Sequence, residues 1–124
     1  MQTLPKKERL CGRRRIGELF DTGAKGATRR VLARALPGET AEGRVAVVAG
    51  KKLGNAVKRN RLRRRLRAAY RMQKEAFPPG WDIVLVARAG LLEAKWLDVT
   101  KEVELAVGRA LTDCTGPLPP RPNR

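Results

Sequence analysis

Histidine and serine are both absent from this chain of 124 residues. Their absence removes Ser/His and Cys/His nucleophilic pairs and leaves a tetrahedral zinc site short of ligands. Cysteine occurs twice, at Cys11 and Cys114 near opposite ends, which makes no disulfide framework and reads as two reduced thiols. Aromatic residues are 4% of the chain, too few for a protein that stacks many successive bases. No apolar run approaches the roughly 18 residues of a membrane span. The first residues, Met1 to Arg9, lack the apolar stretch of a secretory signal, so the expected location is the cytoplasm. Acids are scarce as well, with 12 Asp and Glu against 28 Lys and Arg. Glu102 and Glu104 stand two apart on an expected helix, where side chains diverge, so they form a poor metal pair. No catalytic or metal-ligating side chains are expected in this protein.

What the chain does have is a block of positive charge. From Lys51 to Arg67 there are nine Lys or Arg and no acid, and the acid-free stretch runs on to Lys74 with eleven basic residues in 24. Most of the formal net charge of +16 sits in this one element. Solvated helix faces usually mix signs, whereas a block of one sign repels itself until a polyanion neutralises it, and nucleic acid phosphates are the obvious partner. Hydrophobic residues at 42% supply a modest core, so the chain is more than a basic tail. The length suits one domain, expected over residues 1–115. Gly116 to Arg124 is rich in Pro and reads as a disordered basic tail.

Periodicity orders the elements. Ile16, Leu19 and Phe20 mark a short helix over 13–22, with Gly23 as its stop. Val31 to Leu36 reads as a strand, followed by a solvated loop from Pro37 to Gly43. Residues 44–49 and 81–87 are nearly all apolar, as in strands covered on both faces. Between them 56–77 reads as a long helix whose dry stripe is Leu62, Leu66, Ala69 and Tyr70. Arg61, Arg63, Arg64, Arg67 and Arg71 fall off that stripe. A last helix spans about 96–111, with Trp96, Val99, Val103, Val107 and Ala110 in register. The order α-β-β-α-β-α, with a strand-helix-strand crossover at its centre, points to an α+β two-layer sandwich.

With so few aromatics, the expected mode of recognition is tracking of the sugar–phosphate backbone of a folded nucleic acid. If about six to eight phosphates are neutralised, log K should fall with log salt at a slope near −5 to −7. Gly54 suits a tight turn and Asn55 an N-cap; Lys51 and Lys52 then stand near the positive end of the helix. Asn60, between two arginines in a helix interior, suggests a specific amide hydrogen bond.

The stretch Lys51-Lys52-x-Gly54-Asn55-Ala56-Val57-x-Arg59-Asn60-Arg61-x-Arg63-Arg64 resembles the protein subunit of bacterial ribonuclease P. Arg9-Leu10, Phe20 with Gly23, Pro79-Gly80-Trp81-Asp82-Ile83-Val84 and Val86-Ala87-Arg88 extend the resemblance over most of the chain. It implies an accessory protein that binds a catalytic RNA and the 5′ leader of precursor tRNA, with no obligate protein partner and no membrane association. The RNA does the hydrolysis, requires Mg²⁺ for it, and leaves the protein without a cofactor of its own. The resemblance implies RNA-binding roles for Lys51, Lys52, Asn55, Lys58, Arg59, Asn60, Arg61, Arg63, Arg64 and Arg67. It implies a leader cleft near Ile16, Phe20, Arg34, Lys51 and Lys52. Relatives often carry an aromatic at the position of Ile16 and a Tyr at that of Arg34, where this chain offers a phosphate contact or a guanidinium to stack. It also implies a left-handed βαβ crossover, against the general right-handed rule. Two other classes fit the composition: a ribosomal protein and, less well, an architectural DNA-binding protein.

Overall fold

The computed structural model describes residues 13–38, 43–73, 77 and 80–113. The expected Pro-rich tail, the residues of the solvated loop at 39–42, both cysteines, and residues 74–76 at the expected end of the long helix lie outside them.

A first helix, α1 (Arg13–Thr22), leads into strands β1 (Ala24–Ala27), β2 (Val31–Pro37) and β3 (Arg44–Val48). A short 3-10 turn (Lys51–Leu53) then precedes helix α2 (Ala56–Gln73), strand β4 (Trp81–Ala87) and helix α3 (Trp96–Asp113). The strands form one four-stranded sheet in the order β1-β2-β4-β3. β1–β2 and β2–β4 are antiparallel, while β3–β4 is parallel and joined through α2. The expected strand-helix-strand unit is therefore present. β1 is an addition to the sequence reading. Ala24-Lys25-Gly26-Ala27 lacks the β-branched residues that mark a strand. It pairs because β2 offers a partner and because α3 lies directly against it. A Cβ on Gly26 would come within 2.2 Å of the Ala106 carbonyl oxygen and 2.3 Å of the Ala110 nitrogen, so only glycine lets that helix approach.

Strand alternation divides the core. Val31, Ala33, Ala35, Ile83, Leu85 and Ala87 point to one face, where Leu62, Leu66 and Ala69 of α2 and Val99, Val103 and Val107 of α3 bury them. Phe77, which is not helical, stacks its ring on Tyr70 with centroids 5.8 Å apart. The opposite face carries a smaller cluster, Leu19, Ala46 and Val84, flanked by Ile16, Phe20, Leu36 and Val48. α1 covers that face, so the α+β sandwich has two helices on one side and one on the other. α1 has 10 residues and, among its described side chains, one that is fully buried, Leu19. An isolated helix below about 12 residues is marginal in water, and burying one Leu contributes about 2 kcal/mol. Its seat depends on tertiary contacts.

Candidate nucleic-acid interface

α2 begins as its sequence dictates. Gly54 adopts φ 136°, a region side chains avoid, and turns the chain from the 3-10 segment into the helix. The Asn55 Oδ1 accepts the Lys58 backbone N–H at 3.0 Å and caps the first turn. No acid stands in that turn. Lys58 and Arg59 instead add positive charge to the positive end of the helix dipole, an unfavourable arrangement until an anion arrives. Asn60, Arg61 and Arg64 are exposed, while Arg59, Arg63 and Arg67 are half-buried. The Asn60 amide oxygen accepts from the Arg63 guanidinium, which supplies the amide contact expected there and orients one cation on the helix surface.

Arg65 differs from its neighbours. Its guanidinium donates to the carbonyls of Leu91, Leu92 and Ala94 at 3.0, 2.8 and 2.9 Å. It fastens the loop between β4 and α3, and its place in an arginine run gives no hint of that.

Because β3 and β4 are parallel, their C-terminal ends meet at one end of the sheet. Lys51 and Lys52 follow β3 there and Arg88 follows β4. Arg88 receives the β1–β2 turn by donating its N–H to the Arg30 carbonyl at 2.9 Å and its Nη1 to the Thr28 carbonyl at 3.1 Å. That turn is braced from α3 by Glu102, which accepts from the Thr28 hydroxyl and from the Arg30 N–H and Nη1, each at 2.9 Å. Lys51, Lys52, Arg29 and Arg88 are exposed and form a basic rim beside the start of α2.

On the α1 side of the sheet Leu32, Val86 and Val48 are half-buried and in register across β2, β4 and β3, and Ile16 and Phe20 of α1 pack with Val48 against the small cluster on that face. Arg34 lies on this side opposite Lys25 of β1. Its Nη1 donates to the Gly23 carbonyl at 3.1 Å, while its Nε is buried with no hydrogen-bond partner among the described residues. Of the residues expected at a leader cleft, Ile16, Phe20 and Arg34 thus lie on the α1 side of the sheet, while Lys51 and Lys52 follow the C-terminal end of β3, next to the start of α2. Sequence reading did not single out Lys25, Arg29, Leu32 or Val48 for this region. Strand alternation was the available signal for Leu32 and Val48.

At the opposite end of this face, where Asp82 is in register with Leu36 and Arg44, stand Arg15, Arg44 and Asp82. Glu18 of α1 accepts from Arg15 and Arg14 at 3.0 and 2.9 Å. The Arg15 hydrogen bond, aided by the Arg14 charge, holds its carboxyl below the ordinary glutamate value. Among the described residues no three His, Cys, Asp or Glu side chains gather as metal ligands, and no helix is long and apolar enough to cross a membrane.

The family model described as ribonuclease P matches residues 4–111. The chain is 33% identical over 101 residues to the ribonuclease P protein component of Syntrophus aciditrophicus, covering 82% of this chain and 85% of that one. It is 36% identical over 105 residues to that of Citrifermentans bemidjiense, covering 85% and 90%. Among solved structures, the RNase P protein of Thermotoga maritima superposes with a TM-score of 0.71 at 28% identity, covering 78% of this chain and 92% of that one. The Staphylococcus aureus RNase P protein gives a TM-score of 0.75 at 23% identity, covering 86% and 97%, a likeness of fold.

Proposed function

The chain belongs to the bacterial ribonuclease P protein family, and on that premise we propose how its two surfaces divide the work. Members of this family are the RNA-binding component of an endoribonuclease that trims the 5′ leader from tRNA, with catalysis residing in the RNA. In this reading the exposed side of α2, through Lys58, Arg59, Asn60, Arg61, Arg63, Arg64 and Arg67, binds the catalytic RNA. The groove between α1 and the sheet holds a few nucleotides of the precursor tRNA leader. Leu32, Val48 and Val86 form its floor, Ile16 and Phe20 its wall, and Lys25, Arg34, Lys51, Lys52 and Arg88 supply its cations. The observation that carries the reading is the adjacency of the two. The basic rim at the C-terminal ends of β3 and β4 lies between the half-buried apolar row of Leu32, Val86 and Val48 and the acid-free helix α2.

The chemistry follows from charge and position. Helix arginines neutralise crowded phosphates in the folded RNA, which lowers the Mg²⁺ that the RNA-catalysed reaction needs to offset repulsion. The groove adds binding energy only while a leader is present, so precursor is held and product is released. The protein contributes no nucleophile, base or cofactor. One domain over residues 1–115 carries both surfaces, with the basic tail outside it.

Two sets of variants test the division. Arg61→Ala and Arg64→Ala should each weaken assembly with the catalytic RNA and flatten its salt dependence by about one phosphate contact. Phe20→Ala should leave assembly intact and reduce the preference for precursor over mature tRNA. An unchanged salt slope in both arginine variants would remove the helix from the interface.

A further inference from the structure

α1 is tied to the sheet by a charged cluster at the end of the groove remote from the basic rim. Asp82 lies on the α1 side of β4 and is fully buried. Its Oδ2 accepts from the Arg15 Nε at 2.9 Å and the Arg44 Nη2 at 3.2 Å, and its Oδ1 accepts the Arg44 backbone N–H at 3.2 Å. Arg15 extends the link. Its Nη2 donates to the Pro37 carbonyl at 2.6 Å, at the end of β2, and its Nη1 to Glu18 at 3.0 Å. One guanidinium from α1 therefore grips two strands and its own helix.

A carboxylate taken wholly out of water is costly unless charged donors saturate it. This one sits outside the main core. It adjoins the small cluster of Leu19, Ala46 and Val84 that seats α1 alone. α2 is seated on the other side of the sheet by Leu62, Leu66 and Ala69. α1 can therefore shift without unseating α2. The apolar contacts under α1 are few and non-directional, whereas the Arg15–Asp82–Pro37 bonds fix both distance and direction.

From this we infer that Asp82, with Arg15 and Arg44, positions the wall of the leader groove: the cluster sets the height and tilt of α1, hence of Ile16 and Phe20, over the sheet. It thereby controls how strongly a precursor is preferred over a leaderless tRNA, and none of the three side chains has to touch RNA. The inference rests on the reading of this groove as the leader site.

The test uses holoenzyme reconstituted with a bacterial ribonuclease P RNA. Three dissociation constants are measured: protein for that RNA, holoenzyme for precursor tRNA, and holoenzyme for mature tRNA. Asp82→Asn and Arg15→Gln should weaken precursor binding and so lower the mature-to-precursor Kd ratio about fivefold or more, while the affinities of protein for RNA and of holoenzyme for mature tRNA move by less than about twofold. Arg15→Lys should recover part of the ratio, because an ammonium still reaches one acceptor. Phe20→Ala runs in parallel. If Phe20→Ala lowers the ratio and the cluster variants do not, the positioning role is overturned and the leader groove stands. If no variant alters the ratio, both fall. A parallel loss in all three affinities reduces the cluster to general stability and overturns the inference. Should Asp82→Asn fail to fold, Arg15→Gln, at a side chain 13% exposed, decides the question alone.

Discussion

Arg64 and Arg65 are adjacent in the chain, yet replacing each with Ala should produce opposite phenotypes. Arg65→Ala removes three bonds from a charged donor, to carbonyls at 3.0, 2.8 and 2.9 Å. Taken singly each contributes about 1.5–3 kcal/mol. They share one guanidinium and are lost together, so the combined loss should be nearer about 3 kcal/mol than the sum. For a domain of this size, with a urea m-value of about 1–2 kcal/mol/M, the midpoint falls by roughly 1.5–3 M. Arg64 is exposed, and its removal should change stability by no more than about 0.5 kcal/mol. Its effect belongs instead to RNA binding, where the slope of log K against log salt should become shallower by about one. Urea titration of the free protein and salt titration of its complex with the catalytic RNA separate the two. An Arg65→Ala protein with an unchanged midpoint and a flattened salt slope would refute the assignment of Arg65 to the loop.

Asn55→Ala should cost about 1 kcal/mol of stability in the free protein through the lost cap on Lys58, read as a urea midpoint shift without RNA. Gly26→Ala should drive α3 away from β1, because the new methyl would meet the Ala106 carbonyl oxygen at 2.2 Å. A destabilisation of about 2–3 kcal/mol and a thermal midpoint lowered by roughly 10 °C are expected. Glu18 has its folded carboxyl held below the ordinary value, chiefly by the Arg15 hydrogen bond. Its contribution is therefore present above the unfolded range and lost as pH falls through the folded value. The stability difference between wild type and Glu18→Gln, measured by urea midpoints against pH, should shrink on acidification across that window.

Elements with strong local signals were legible in the sequence. The bounds of α1 and β4 agree with the apolar spacing of Ile16, Leu19 and Phe20 and with the run from Trp81 to Ala87. The start of α2 was readable from Gly54 and Asn55, and its dry stripe from Leu62, Leu66 and Ala69. What was not legible depends on distant partners. β1 is a strand only because β2 and α3 enclose an otherwise neutral Ala-Lys-Gly-Ala segment. The loop-binding role of Arg65 rests on acceptors 26 to 29 residues away, which no local pattern encodes. Arg15 likewise looks like one more cation in an arginine triplet until Asp82 is seen 67 residues later. The one clue was Asp82 itself, a carboxylate inside an apolar strand, which demands a cationic partner.

The most direct measurement is cleavage of a leader-bearing precursor tRNA by a bacterial ribonuclease P RNA at a few millimolar Mg²⁺, with and without this protein, and with each component alone. The predicted result is a protein inert by itself that restores RNA cleavage at that Mg²⁺ and loses most of its advantage at high Mg²⁺. Binding to the RNA with no gain in cleavage, or cleavage by the protein without RNA, would contradict the role of an accessory subunit.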